Sequence, residues 1–319
     1  MKPIAFLFPG QGSQSVGMHK DYAEASPANA EFLAKADQIL GSPLSTLFLS
    51  GEEEELKKTE NTQPALYITG ALSHNLLVQA GIAPTHVAGH SLGEYTALYA
   101  AGSFDFATGL KLVQARGKAF AEAGKIQAGA MAAILGMESA AVLALCQAVQ
   151  KESGQIVVPA NYNDPGQTVI SGDPEGVRLA CERAKAEGAK RALPLPVSGA
   201  FHSPLVKSAG AVMEAELAKS AVSSPKCRFI NNADCAFLTQ ADAIRSSLVR
   251  QVTSSVRWVE CVRALAAEGV ETFVEVGPGK VLAGLVKRIE PNARILTTET
   301  YAKLQETIST LQNEGFAKP

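Results

Sequence analysis

The pentapeptide Gly89-His90-Ser91-Leu92-Gly93 fits G-x-S-x-G, a sharp strand-to-helix turn that lifts a serine hydroxyl out of a sheet. Glycines serve there because they permit so sharp a turn. Such a pattern arises readily by chance in a chain with 27 glycines, so its surroundings matter. Thr85–Ala88 reads as the incoming strand and Glu94–Ala101 as the outgoing helix, the setting this chemistry requires. A serine hydroxyl is a weak nucleophile until a base takes its proton, and histidine is the side chain whose ordinary pKa suits that task near neutrality. Of five histidines, His19 and His74 read as helix or loop surface, and His86 sits inside a strand. His90 adjoins Ser91 on a turn that points the two side chains apart. His202 is the favoured base: it follows a strand and a Ser198-Gly199-Ala200 loop, at the carboxyl edge of the sheet where an elbow serine also emerges. No Asp or Glu between Ser91 and His202 has an obvious claim to orient the imidazole. A backbone carbonyl can hold the tautomer without supplying a full negative charge, and the sequence leaves that choice open.

Two further groups bear on the same chemistry. Pro9-Gly10-Gln11-Gly12-Ser13-Gln14 follows an apolar strand and lacks the lysine of a P-loop. Beside a nucleophilic serine, its economical role is half of an oxyanion hole, with Gln11 N–H and Leu92 N–H aimed at the charged oxygen of a tetrahedral intermediate; a plain tight turn is the alternative. On the helix from Phe106 to about Ala123, Arg116 falls opposite the Lys111, Gln114 and Lys118 face and is aimed inward. A buried guanidinium left unpaired costs about 3–5 kcal/mol. Its partner is therefore either a protein carboxylate or a substrate carboxylate gripped bidentately.

These residues must be positioned by an α/β fold, because apolar runs of strand length alternate with amphipathic helical segments almost from end to end. Ile4–Phe8, His86–Gly89, Ala192–Val197, Arg228–Asn231, Glu271–Val276 and Arg294–Thr297 read as strands of one mostly parallel sheet. Pro64 marks a helix start, Gly81 a helix end, and Asp105 a helix cap. Between about Gln127 and Leu195 the order becomes strand, helix, strand, strand, helix, strand, a split β-α-β-β-α-β unit. The expected organisation is a discontinuous catalytic core of residues 1–126 and 196–319, with residues 127–195 as an inserted subdomain. The run Glu52–Glu55 followed by Lys57-Lys58 reads as a solvated helix face.

Composition narrows the function from the other side. Of 319 residues, 46% are hydrophobic and 19% charged, against roughly 25% charged in ordinary globular proteins, which favours a compact body. A net charge of -2 supplies no broad positive field, so neither nucleic acid nor an anionic membrane is an expected partner. The apolar run Ile4–Phe8 is too short for a signal peptide, and the chain is read as cytoplasmic. Five cysteines without a C-x-x-C pair indicate neither a disulfide framework nor a zinc site.

Taken together, GQGSQ at 10–14, GHSLGE at 89–94, Arg116 within QARG, GAFHS at 199–203 and EVGPGKVL at 275–282 resemble the malonyl-CoA:acyl carrier protein transacylase family. The likeness runs in family order from the first strand to at least Ile289. It implies an α/β-hydrolase-like core with a ferredoxin-like inserted subdomain and an active site between them. It also implies Ser91 as nucleophile, His202 as general base and then acid, Gln11 and Leu92 as oxyanion donors, and Arg116 as the grip on the malonyl carboxylate. The family orients its histidine by a main-chain carbonyl, here that of Gln251, ahead of Ser254-Ser255-Val256-Arg257-Trp258, where Ser255 replaces a common proline. Phe201 resembles the malonyl-preferring form of its motif. The implied reaction is ping-pong transfer of malonyl from malonyl-CoA to the phosphopantetheine thiol of holo acyl carrier protein, for fatty acid chain elongation, by a monomer that needs no metal or redox cofactor. Basic residues near the gorge mouth are expected to dock the carrier, with Lys190 and Arg191 either contributing or serving as solvated surface charges. A serine esterase or thioesterase would share the elbow and histidine but release free malonate; a non-enzymatic carrier-binding protein would have no use for them.

Overall fold

The computed structural model describes residues 2–197 and 199–317. Ser198, placed by the sequence reading in the loop before His202, lies outside them. Among the described residues the strands are β1 (Ile4–Phe8), β2 (His86–Gly89), β3 (Ala130–Leu135), β4 (Val157–Asp164), β5 (Gln167–Gly172), β6 (Arg191–Pro194), β7 (Arg228–Ile230), β8 (Phe237–Leu238), β9 (Thr272–Glu275) and β10 (Arg294–Thr297). They form two sheets. The larger has the order β10-β9-β1-β2-β7-β8, parallel except for β8. Ile4-Ala5-Phe6-Leu7-Phe8 is apolar at every position, which suits β1 to a central place with both faces covered. Because Phe8 is level with Gly89, and Leu7 with Glu275, the Pro9–Gln14 loop, the Ser91 turn and the Val276–Gly279 turn all leave the sheet at one edge.

The smaller sheet has the order β4-β5-β3-β6 and is antiparallel throughout. Period-two alternation divides its residues: Ala132 and Ile134 face the helices Ser139–Ser153 and Pro174–Ala186, while Met131, Ala133, Ala160 and Val169 face the larger sheet's carboxyl edge. Backbone bonds stitch β4 to the segment before Trp258, with Val256 N–H donating to Ala160 O (2.8 Å) and Tyr162 N–H to Val256 O (2.9 Å). Ser255 Oγ donates to Pro159 O at 2.7 Å. The serine that replaces proline here therefore makes a bond that a proline side chain cannot.

Three expectations need correction. Ala192–Val197 is not a strand of the larger sheet: Arg191–Pro194 pairs with β3, and Phe237–Leu238 fills the sixth place instead. The same residues closed the inserted unit in the sequence reading, and one strand cannot complete both sheets. Pro64 lies inside the helix Thr59–Gln79 rather than at its start. That first turn is held by packing: a Cβ on Gly117 would meet Glu60 Cα at 2.9 Å, so only glycine admits so close an approach. His19 and His74, read as surface residues, are buried. Asp105 does cap Phe106–Ile126, accepting from Thr108 N–H at 2.7 Å. No helix among the described residues is long and apolar enough to cross a membrane.

Candidate active site

The elbow is built from what its glycines allow. A Cβ on Gly89 would meet Gly93 C at 1.9 Å, and one on Gly93 would meet Phe8 O at 2.1 Å, so both positions exclude side chains. Ser91 between them takes φ 53, in the left-handed region that a non-glycine residue occupies only when its surroundings impose it. Its Oγ lies 2.7 Å from His202 Nε2. His202 is itself held at φ 58 just before the short helical turn Pro204–Val206. Its Nδ1 faces two carbonyl oxygens, Gln251 O at 3.0 Å and Ser254 O at 3.1 Å. Those acceptors require the proton on Nδ1, which leaves Nε2 free to accept from the Ser91 hydroxyl. The question of the orienting acid resolves in favour of backbone. Gln251 ends the 11-residue helix Ala241–Gln251, so the carbonyl facing the imidazole also carries the negative end of a helix dipole. Burial first, then the charge of Arg116, push the His202 pKa down to about 3, and the ring rests neutral.

Arg116 is buried and points at the same hydroxyl. Nη2 donates to Ser91 Oγ at 3.1 Å and to Gln251 Oε1 at 2.9 Å, and Nη1 donates to Gln63 Oε1 at 2.7 Å. Its plane lies over the Phe120 ring, 4.5 Å from the centroid. Among the described residues it forms no salt bridge, and its Nε is buried without a partner. Of the two counter-ions the sequence allowed, a protein carboxylate within ion-pair distance is therefore not supplied among the described residues, the buried Glu94 carboxyl acting on Arg116 only from farther off. Gln251 knits the group together, since its Nε2 also donates to Ser91 O at 2.9 Å.

Ser91, His202 and Arg116 open onto a cavity of about 250 Å³ between the two sheets, shared by Gln11, Leu92 and Phe201. Among the described residues neither Gln11 N–H nor Leu92 N–H donates to a protein acceptor. The Gln11 side chain is anchored by Thr59 Oγ1 at 2.9 Å. Phe201 packs edge-on against Phe120, centroids 4.9 Å apart, and forms part of the wall along with Met131, Ala133 and Val169. An outer vestibule of about 620 Å³ continues past Phe201 to Lys57, Lys58 and Lys125. The charge run read as a solvated face thus borders the entrance, with Lys57 and Lys58 paired to Glu53, Glu54 and Glu55. Lys190 and Arg191 are exposed at the end of β6 remote from Leu195 and Val197, which line the cavity. Sequence reading missed Gln63 and Asn232. Gln63 did not stand out from Glu60, Asn61 and Thr62 beside it on the same helix; Asn232 had no signal, because its partners are 138 to 143 residues away.

A sequence model of the acyl transferase domain matches residues 5–312. The malonyl CoA-acyl carrier protein transacylase of Escherichia coli (strain K12) is 49% identical over 290 residues, 91% of this chain and 93% of that one. The chain belongs to the acyl transferase family. Its resemblance to malonyl-CoA:acyl carrier protein transacylases extends far beyond the motifs, as the Bacillus subtilis (strain 168) enzyme of that name is 44% identical over 99% of both chains. In three dimensions this acyl transferase superposes on a malonyl-transacylase solved in complex with its type II PKS acyl-carrier protein, with a TM-score of 0.93 and 41% identity, covering 97% of this chain and 100% of that one.

Proposed function

We propose that this acyl transferase moves malonyl from malonyl-CoA to the phosphopantetheine thiol of holo acyl carrier protein through a malonyl-Ser91 ester, supplying fatty acid elongation. The observation that carries the reading is a buried guanidinium one hydrogen bond from the dyad serine that forms no salt bridge among the described residues. A substrate with a free carboxylate completes it; an uncharged acyl group leaves it unpaired. Ser91 Oγ attacks the thioester carbonyl while His202 Nε2 takes its proton, the N–H groups of Gln11 and Leu92 receive the oxyanion, and His202 returns the proton to the departing coenzyme A sulfur. The carrier thiol then repeats the sequence in reverse. Thioester, oxyester and thioester share one oxidation state, so the cycle calls for no redox cofactor, and the backbone donors do the polarising that a metal would do elsewhere.

The similarity to a transacylase solved with its carrier supports a carrier protein as partner. The architecture is α/β-hydrolase-like, with residues 127–195 inserted into a core of 1–126 and 196–319. The inserted unit is ferredoxin-like, in keeping with four antiparallel strands whose order places its second strand at one edge and its fourth at the other. The protein acts as a cytoplasmic monomer with no membrane or nucleic-acid partner. Incubation with malonyl-CoA or acetyl-CoA and holo carrier, with free acid followed in parallel, tests the reading. Transfer of malonyl in preference to acetyl, with little free malonate, is expected; release of malonate faster than transfer would establish a hydrolase.

A further inference from the structure

The strained elbow is held by backbone pairing on one side of its strand only. On the β1 side backbone pairing reaches Gly89 and His90 N–H donates to Phe8 O at 3.0 Å, but the β2–β7 ladder runs only through His86–Arg228 and Val87–Phe229, so on the β7 side pairing stops before the chain bends at Gly89. At that point a side chain takes over. Asn232, fully buried two residues past β7, accepts from Ser91 N–H through Oδ1 at 2.8 Å and donates from Nδ2 to Gly89 O at 2.8 Å. A carboxamide has the donor and acceptor of a peptide group, and here it continues the sheet ladder across the residue where no strand can follow. Asn232 is fixed in turn: its own N–H donates to the Glu94 carboxyl, which reaches back from the first turn of the helix Gly93–Ala100.

We propose that Asn232, anchored by Glu94, is a positioning residue for the nucleophile, holding Ser91 in its left-handed conformation so that Oγ stays within reach of His202. This rests on Ser91 being the nucleophile. The clamp has a second effect. With Ser91 N–H engaged by Asn232, the turn offers the cavity the N–H of Leu92 alone, so the amide fixes which elbow donor an oxyanion can meet.

The test compares wild type, Asn232→Ala, Asn232→Asp and Ser91→Ala in malonyl transfer and in the rate of labelling by a fluorophosphonate, with circular dichroism and thermal melting as checks of folding. A displaced serine is costly, since misplacement by about 1 Å loses on the order of 100-fold in rate. Asn232→Ala is expected to lower kcat and the labelling rate together by about 100-fold. KM for malonyl-CoA should stay within about twofold, because Arg116 and Gln63 are untouched, whereas loss of general packing would move KM and the melt as well. Asn232→Asp, nearly isosteric, keeps the bond to Ser91 N–H but sets an oxygen against Gly89 O, and it carries the test if the alanine variant does not fold. It should lose about tenfold in kcat. A folded variant of either kind with wild-type kcat and labelling, beside an inert Ser91→Ala, would overturn the clamp while leaving the nucleophile intact. Labelling and transfer that persist in Ser91→Ala would instead overturn the reading of Ser91 itself.

Discussion

His202 and Arg116 pull against each other through one oxygen. The guanidinium donates to Ser91 Oγ, and after burial its charge is the next cause holding the imidazole pKa down, so the base is weakest when Arg116 has no anion. A carboxylate on Arg116 relieves that effect. Removing the charge, as in Arg116→Ala, raises the His202 pKa toward its ordinary value. The acid limb of Ser91 acylation should therefore shift to higher pH, followed as the rate of adduct formation from acetyl-CoA across pH 4–8. An unmoved limb would show that Arg116 does not act on the base. The same variant should lose malonyl preference by roughly 10- to 100-fold in kcat/KM, the worth of a hydrogen bond to a charged group. Retained discrimination between malonyl and acetyl would remove Arg116 from recognition. At this scale the sequence was eloquent where one helix face or one motif sufficed: Ser91, His202 and the inward Arg116 were all legible. The orienting group was undecided from the residues alone, because a backbone carbonyl carries no residue-type signal.

The elements carry constraints of their own, and glycine separates two kinds. Gly93 faces Phe8 O so closely that a Cβ would sit 2.1 Å away, whereas nothing lies within 4 Å of a Cβ on Gly154, which only needs its φ of 71. Gly154→Ala should cost about 1 kcal/mol, the usual penalty for a left-handed residue at a helix end. Gly93→Ala should cost several times more and abolish transfer, as read by chemical denaturation and activity. Equal losses at the two sites would mean the elbow yields to strain. Local turn and strand signals were legible in the same way, through Asp105, Gly81 and the Gln167–Gly172 strand. Sheet membership was not. Ala192–Val197 looks like any buried strand, and only its pairing with β3 tells which sheet receives it. Asn232 escaped for a related reason, since its function depends on contacts that no sequence window spans.

Across the whole molecule, two buried carboxyls and several buried histidines tie stability to pH. Burial pushes Glu94 up to about 8 and Glu275 up to about 7, so between about pH 5 and 8 the unfolded chain ionises while the fold keeps these groups protonated. The contribution of these two carboxyls to stability therefore falls with rising pH across that window. His19 and His202, pushed down to about 3, and His74, to about 4, act oppositely: their contribution grows from acid to about pH 6.5 and is then complete. Above about pH 6.5 the histidine contribution no longer grows and the carboxyls set the direction. The melting temperature should therefore drop between pH 6.5 and 8.5, and Glu94→Gln, which keeps an acceptor for Asn232 N–H, should flatten that drop. A variant as steep as wild type would assign the titration elsewhere. In the proposed reading the two-sheet arrangement also gives the substrate its place. The larger sheet's edge supplies the reacting groups and the smaller sheet roofs them with Met131, Ala133 and Val169, leaving about 250 Å³ for an acyl group.

The central claim is that Ser91 carries the malonyl group between two thiols. Intact mass after brief mixing with malonyl-CoA, followed by peptide mapping and then by addition of holo acyl carrier protein, tests it most directly. One malonyl adduct on Ser91 that appears on the carrier after its addition is the expected result. An adduct on another residue, or one lost to water before the carrier can accept it, would contradict the account.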